Sequence, residues 1–303
     1  MTPPRQAQPP LGQVGMPAGV GVPGAPRLSG APSLSGAPWP AGRPTLARVR
    51  IHVVSDVHGS VDALAKAGDG ADVLVCLGDL VLFLDYADAS GGIFAELFGS
   101  AAAEQLVALR TAKRFDEARA WSKQLWEGLG EDPKTVITRK VGEQYAALFA
   151  VMPEPTYLTY GNVDVPALWP EHVKPGHTVL DGQVVELGGR TWGFVGGGLR
   201  TAMRTPYEIS DEDYAAKVAA VGAVDVLACH IPPDVPELLY DVQARRFERG
   251  SAALLDAIRD TQPGTVLFGH VHQPLQQRLR IGRTECVNVG HFRGTGTPYA
   301  MEY

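Results

Sequence analysis

The chain has 303 residues, 45% hydrophobic and 20% charged, with 35 glycines, 24 prolines and a formal net charge of −6, enough for one or two packed domains. Residues 1–46 hold Arg5, Arg27 and Arg43 and no acid, so 47–303 carries 24 basic against 33 acidic side chains. That balance argues against a held nucleic-acid partner, because phosphate neutralisation needs clustered Lys and Arg.

Residues 1–46 contain eleven of the prolines and repeat LSGAP at 28–32 and 34–38. With few large apolar side chains to offset the entropy of ordering, they are expected to form a disordered tail, and 47–303 the folded domain. No window approaches the roughly 18–20 apolar residues of a bilayer span, and 1–30 lacks the apolar core of a secretory signal. A cytoplasmic protein without a membrane partner is expected. Cys76, Cys229 and Cys286 are scattered in apolar runs and read as buried thiols.

From 49 onward, short β-branched runs alternate with amphipathic stretches: Val49–Val54, Val73–Leu77, Thr156–Tyr160, Val184–Leu187, Thr191–Val195, Val224–Cys229, Thr265–Phe268 and Glu285–Val289. Several are apolar throughout, as strands covered on both faces must be, so a layered α/β domain is predicted. Between Tyr86 and Met152 the spacing turns helical. Phe115, Ala118, Ser122, Leu125 and Leu129 form one stripe; Ile137, Val141, Tyr145, Leu148 and Met152 form another. Asp132 is placed to cap the second helix, Pro133 suits its first turn, and Pro153 with Pro155 stops it. Residues 86–152 are read as a helical insertion, a cap or an oligomer contact, with both stripes serving as core.

The chemistry concentrates where strands end. The first apolar run leads into Asp56-Val57-His58-Gly59, and residues i and i+2 of an extended chain face the same way. Val73–Leu77 leads into Gly78-Asp79, Thr156–Tyr160 into Gly161-Asn162-Val163-Asp164, Val224–Cys229 into His230, and Thr265–Phe268 into Gly269-His270-Val271-His272. The carboxyl ends of strands are where open α/β sheets place ligands. Any one of these blocks is ordinary. Together they supply two Asp, one Asn and four of the chain's eight His, enough nitrogen and oxygen donors for two divalent ions if one carboxylate bridges. Without cations, so dense a buried polar set would be costly.

The order Asp56-x-His58, Gly78-Asp79, Gly161-Asn162, His230, Gly269-His270-x-His272 resembles the calcineurin-like metallophosphoesterases and spans 51–290. The resemblance implies a four-layer αββα sandwich with a dinuclear centre, here with a helical insertion. One ion would be held by Asp56, His58, Asp79 and His272, the other by Asp79, Asn162, His230 and His270. Asp56, Asp79, Asn162 and His230 are read as catalytic as well as ligating. Hydroxide shared by two cations would attack phosphorus while both ions screen the phosphoryl oxygens. The donor set suits Mn, Fe or Zn.

The expected substrate is a small-molecule phosphate ester, with a diester favoured over a monoester. A non-catalytic protein-binding scaffold on the same fold is the alternative, disfavoured because all seven ligands are present. A protein Ser/Thr phosphatase is disfavoured because Leu80 follows Gly78-Asp79, where that group has Asp-Arg. One departure stands out. Much of the family has a His after the Asn, thought to aid protonation of the leaving oxygen; here the position is Val163, as in branches resembling bacterial and archaeal phosphodiesterases. His291 and His177 are the candidate replacements. Asn162, Gly197, in the run Gly196–Gly198, and Arg200 are candidate substrate contacts, as is Arg204. Asp164 is read as orienting Asn162 or capping the following turn, and His52 as a core histidine.

Overall fold

A computed structural model describes residues 48–303; the expected tail over 1–46 lies outside the described residues. Two sheets stack face to face. The first runs Tyr299–Glu302, Arg50–Val54, Val73–Cys76, Thr156–Leu158, His177–Val179, parallel except for the antiparallel edge strand Tyr299–Glu302. The second runs Arg278–Ile281, Thr284–Asn288, Thr265–Phe268, Val226–Cys229, Arg190–Val195, Gln183–Leu187, with four parallel central strands and antiparallel edges.

Strand alternation sorts each side chain to one of three apolar layers. Ile51, Val53, Val73 and Val75 of the first sheet meet Trp192, Phe194, Val226, Ala228, Leu267 and Val287 of the second, forming the layer between the sheets. Their neighbours Val54, Leu74, Cys76 and Leu158 point the other way, onto Leu64 of the short helix Val61–Leu64 and onto Val141, Tyr145, Leu148 and Phe149 of the helix Pro133–Val151. Val195, Leu227, Cys229, Val266 and Phe268 pack on the far side against Tyr214 and Val218 of helix Asp211–Val221 and Leu254 and Ile258 of helix Ala252–Thr261. This is a four-layer αββα sandwich. Central strands covered on both faces must be apolar throughout, which is why their sequences show no polar alternation.

The helix Pro133–Val151 starts and stops as its punctuation predicts: the Asp132 carboxylate accepts from the Thr135 backbone N–H, Pro133 opens the first turn, and Pro153 follows Met152. Within 86–152 two parts are distinct. Pro133–Val151 packs into the sandwich itself. Helices Gly92–Phe98, Ser100–Thr111 and Phe115–Gly128 share a separate small core of Phe94, Ala103, Leu106 and Ala118, while Ile93 of the first also packs into the sandwich. The three cysteines are buried free thiols; burial raises Cys76 and Cys286 to about 12.

Strands His177–Val179, Arg278–Ile281 and Tyr299–Glu302 carry no strong apolar signal. Each is an edge of three or four residues with few or no fully buried positions, so packing constrains its composition little.

Candidate dinuclear metal centre

All the ligand blocks leave the carboxyl ends of parallel strands. Asp56, Asp79 and Asn162 follow strands of the first sheet, while His230, His270 and His272 follow strands of the second. The seven side chains therefore meet across the seam between the sheets. Asp56, His58, Asp79 and His270 all sit at positive φ, between 41° and 67°. Asp and His tolerate the left-handed region better than most residues, and strain of this kind persists only where surrounding structure enforces it.

Close backbone approach explains the glycines of two blocks. A Cβ on Gly78, whose φ is +94°, would lie 1.9 Å from the Gly161 nitrogen, and one on Gly161 would lie 1.9 Å from Asp79 Oδ1. The Gly-Asp and Gly-Asn turns interlock, and neither admits a side chain.

The donors fall into two groups that share Asp79. In the first, His58 Nε2 is 3.3 Å from His272 Nε2, and Asp56 Oδ1 is 3.8 Å from His58 Nε2 and 3.4 Å from His272 Nε2. In the second, Asn162 Oδ1 is 2.9 Å from both His230 Nε2 and His270 Nδ1. Asp79 Oδ2 lies between the groups, 3.8 Å from His58 Nε2 and 3.4 Å from His230 Nε2, while its Oδ1 accepts the Val163 N–H at 2.9 Å.

The donor chemistry fits divalent cations. His58 Nδ1 donates to the Val81 carbonyl and His230 Nδ1 to the Leu77 carbonyl, both at 2.9 Å, which leaves each Nε2 facing the pocket as the nitrogen that could ligate. Asp56 Oδ1 is buried without a hydrogen-bond partner while its Oδ2 accepts the His270 N–H. An orphaned carboxylate oxygen beside two imidazole nitrogens is an atom that could ligate a cation. Electrostatics agree. Burial opposes ionisation of Asp56, but the close approach and charge of His272, with His230 and His58 behind, hold it well below the usual range. Burial likewise opposes ionisation of Asp79, and His230 outweighs it. Burial pushes His58 and His270 down, whereas Asp79 overcomes burial at His230 and lifts it to about 9.

Asp164 binds the turns on either side of the site rather than the Asn162 side chain. Fully buried, it accepts the N–H groups of Asp79 and Gly161 on Oδ2, both at 2.8 Å, and that of Leu80 on Oδ1 at 3.0 Å. Tyr145 donates its hydroxyl to Oδ1 at 3.3 Å and accepts the Val165 N–H. Burial, and then the charge of Asp79, raise Asp164 to about 6.

Of the two candidate replacement acids, the structure brings only His291 to the site. Its ring stacks on His272 at 3.9 Å with planes 1° apart and lies 5.9 Å from His58. Burial and the neighbouring charge of His272 lower it to about 4, so at neutral pH it is an uncharged imidazole. His177 instead packs on Phe149 in the helix-facing layer. His52, within its strand, donates through Nδ1 to the Ala67 carbonyl, since a carbonyl only accepts.

The N–H groups of Gly196, Gly197 and Gly198 are spent on Asp181 Oδ1, the Tyr160 carbonyl and the Tyr207 carbonyl. Arg200 and Arg204 are exposed, and neither side chain hydrogen-bonds to the seven donors. Sequence reading missed Arg293, whose Nη1 donates to the His58 carbonyl at 3.0 Å, whose Nη2 meets Asp85 Oδ2 at 2.6 Å, and whose backbone N–H donates to the Asp56 carbonyl. Nothing local marks this arginine; its role exists only because the segment after the last central strand folds back over the first ligand turn.

No curated protein matches the sequence. Among solved structures, a Thermus thermophilus protein aligns with 84% of this chain and 99% of its own at 13% identity and TM-score 0.46. A Streptococcus pneumoniae protein, itself a predicted phosphoesterase, covers 85% of this chain and 84% of its own at 15% identity and TM-score 0.32. A purple acid phosphatase of yellow lupin covers 81% of this chain, which spans 44% of that enzyme, at 13% identity and TM-score 0.36. The profile of the calcineurin-like phosphoesterases matches residues 49–274, a stretch containing all seven donors. With that match over most of its length, the chain belongs to the calcineurin-like phosphoesterase family.

Proposed function

We propose that this phosphoesterase is a dinuclear metal-dependent hydrolase that prefers phosphodiesters. The observation that carries the reading is the position of Asp79 Oδ2 between two donor groups, one of Asp56, His58 and His272 and one of Asn162, His230 and His270. Each group with Asp79 would hold one cation. Two divalent cations, when bound, acidify water and neutralise charge on the phosphoryl oxygens. The chain's own contribution is orientation: carbonyls fix the tautomers of His58 and His230, and Asp164 fixes the turns that carry Asp79 and Asn162.

Two features favour diesters with good leaving groups. The terminal nitrogens of Arg293 are taken by Asp85 and the His58 carbonyl, so this cation is not free to meet the second negative charge of a monoester. Val163 offers no proton, and His291 is uncharged at neutral pH. A leaving oxygen must therefore depart largely unassisted. The small helical core of 92–128 is read as a cap whose position is fixed through Asp85 and Arg293.

The test is a panel on the Mn-loaded full chain comparing cyclic nucleotides, aryl diesters and aryl monoesters, with Asp79→Asn as control. Faster turnover of aryl diesters than of the matching monoesters, lost in the control, is the expected result. Monoesters turned over faster would overturn the preference, and inactivity towards every ester would overturn the hydrolase reading.

A further inference from the structure

An asparagine ligates a cation only through its oxygen, and its amide has two orientations of nearly equal shape. At Asn162 the two differ sharply in consequence. In the observed orientation Oδ1 faces His230 Nε2 and His270 Nδ1; turned over, an NH2 group would face the same nitrogens and repel a cation. A partner outside the seven donors can decide between them whichever imidazole nitrogens are protonated.

The deciding chain of hydrogen bonds lies in the segment 201–208. Glu208 Oε2 accepts the Thr201 N–H at 2.7 Å, and its Oε1 accepts the hydroxyls of Thr201 at 2.7 Å and Thr205 at 2.8 Å. An ionised carboxylate only accepts. The single Thr205 proton is thereby committed to Glu208, and Thr205 Oγ1 meets Asn162 Nδ2, at 2.9 Å, as an acceptor. Only the NH2 end of the amide satisfies that acceptor, so Oδ1 is left facing the imidazoles. The segment is itself anchored to the asparagine backbone, because the Tyr207 N–H donates to the Asn162 carbonyl at 2.9 Å and the Gly198 N–H to the Tyr207 carbonyl at 3.0 Å. Gly198 packs so closely that a Cβ there would lie 2.6 Å from Asn162 Cβ.

We propose that Thr205, polarised by Glu208, is a positioning residue that selects the metal-ligating orientation of Asn162. The inference rests on the reading of Asn162 as a ligand of one of two cations. Glu208 sets the direction of the first hydrogen bond, Thr205 passes it on, and Asn162 presents oxygen to the cation it shares with Asp79, His230 and His270. Loss of the hydroxyl frees the amide to turn, and that cation loses affinity while the one held by Asp56, His58, Asp79 and His272 keeps its donors.

The experiment is Mn2+ binding to the full-length chain by isothermal titration, with melting curves recorded alongside. The variants are Thr205→Val, Thr205→Ser, Glu208→Gln and the double variant Thr205→Val with Asn162→Asp. In Thr205→Val one of two Mn2+ sites is expected to weaken by about 10- to 100-fold, the usual cost of losing an outer partner. Thr205→Ser keeps the hydroxyl and the affinity. Glu208→Gln, whose amide can donate to Thr205 and so release the direction, weakens the same site even if the valine variant fails to fold. Asn162→Asp offers oxygen in either orientation and restores binding in the valine background, which repair of packing alone would not do. Two Mn2+ bound with unchanged affinity in both Thr205→Val and Glu208→Gln would overturn the inference alone. A wild-type chain that binds no Mn2+ would overturn the functional reading and the inference with it.

Discussion

The Asp164 carboxylate accepts the Asp79 backbone N–H at 2.8 Å, so a buried acid outside the seven donors fixes the turn carrying the carboxylate that lies between the two donor groups. The same Oδ2 accepts the Gly161 N–H, which ties the Gly-Asp and Gly-Asn turns into one unit.

Asp164→Asn is therefore expected to be destabilising despite its near-identical shape. Whichever way the amide turns, an NH2 group replaces an acceptor before backbone donors, at about 1–3 kcal/mol for each one stranded. Urea unfolding of the variant should show that loss together with reduced metal affinity. Unchanged stability would mean that the three backbone donors find other acceptors.

Asp79→Asn removes the only carboxylate common to both donor groups. Metal affinity should fall by more than the roughly 10- to 100-fold typical of outer partners, because Asp79 would touch the cations directly. In the wild type, cations that bind only the folded chain should raise its stability by about 2.7 kcal/mol at 100-fold excess over the dissociation constant. A chelator should lower the melting temperature of wild type and leave Asp79→Asn nearly unmoved. Equal melting shifts in the two proteins would place the cations elsewhere.

The Asp85–Arg293 pair couples the segment leading into helix Gly92–Phe98 to the Asp56 turn, and it gives a pH signature. Burial opposes ionisation of Asp85, but the Ala87 and Asp88 amides and Arg293 outweigh it and hold its pKa below the ordinary value. A depressed carboxylate stabilises the fold above its unfolded pKa of about 3.9, and the contribution disappears as pH falls through the lower folded value. Asp85→Asn should cost about 1 kcal/mol at pH 7, a modest figure because Arg293 is partly in water. The gap between variant and wild type in thermal melts should close below about pH 4. A constant gap across that range would show that the charge is not what matters.

Turnover should depend steeply on the leaving group, since Val163 supplies no proton and His291 is uncharged at neutral pH. A positioned general acid is typically worth about 10²- to 10⁴-fold, so alkyl diesters should trail aryl diesters by at least that margin. A series of diesters of graded leaving-group pKa measures the slope, and a flat series would reveal that another group protonates the leaving oxygen. His291→Phe, which keeps an aromatic ring against His272, should leave the slope unchanged.

The central strands and the turns that carry the candidate donors were legible in the sequence for one reason: strands buried on both faces must be apolar, and polar residues at their ends then stand out. Val73–Cys76, Val226–Cys229 and Thr265–Phe268 appear where their apolar runs lie. Asp132, Pro133 and Pro153 bound their helix by local chemistry alone. The edge strands were not legible, because half-exposed edges leave composition nearly free. Within 86–152, helical spacing could not reveal that Pro133–Val151 joins the sandwich while the preceding helices build their own core.

By itself the sequence determined which residues are chemically able to bind cations, and in what order the strands deliver them. Only the tertiary structure decided the direction of each donor: which nitrogen of His58 and His230 is free, which oxygen of Asp79 lies between the groups, and which end of the Asn162 amide faces inward. Those choices are made by carbonyls and side chains remote in the chain, Val81, Leu77, Asp164, Thr205 and Arg293 among them. Hydrogen-bond direction depends on what lies across the contact, and spacing along a strand carries no record of it.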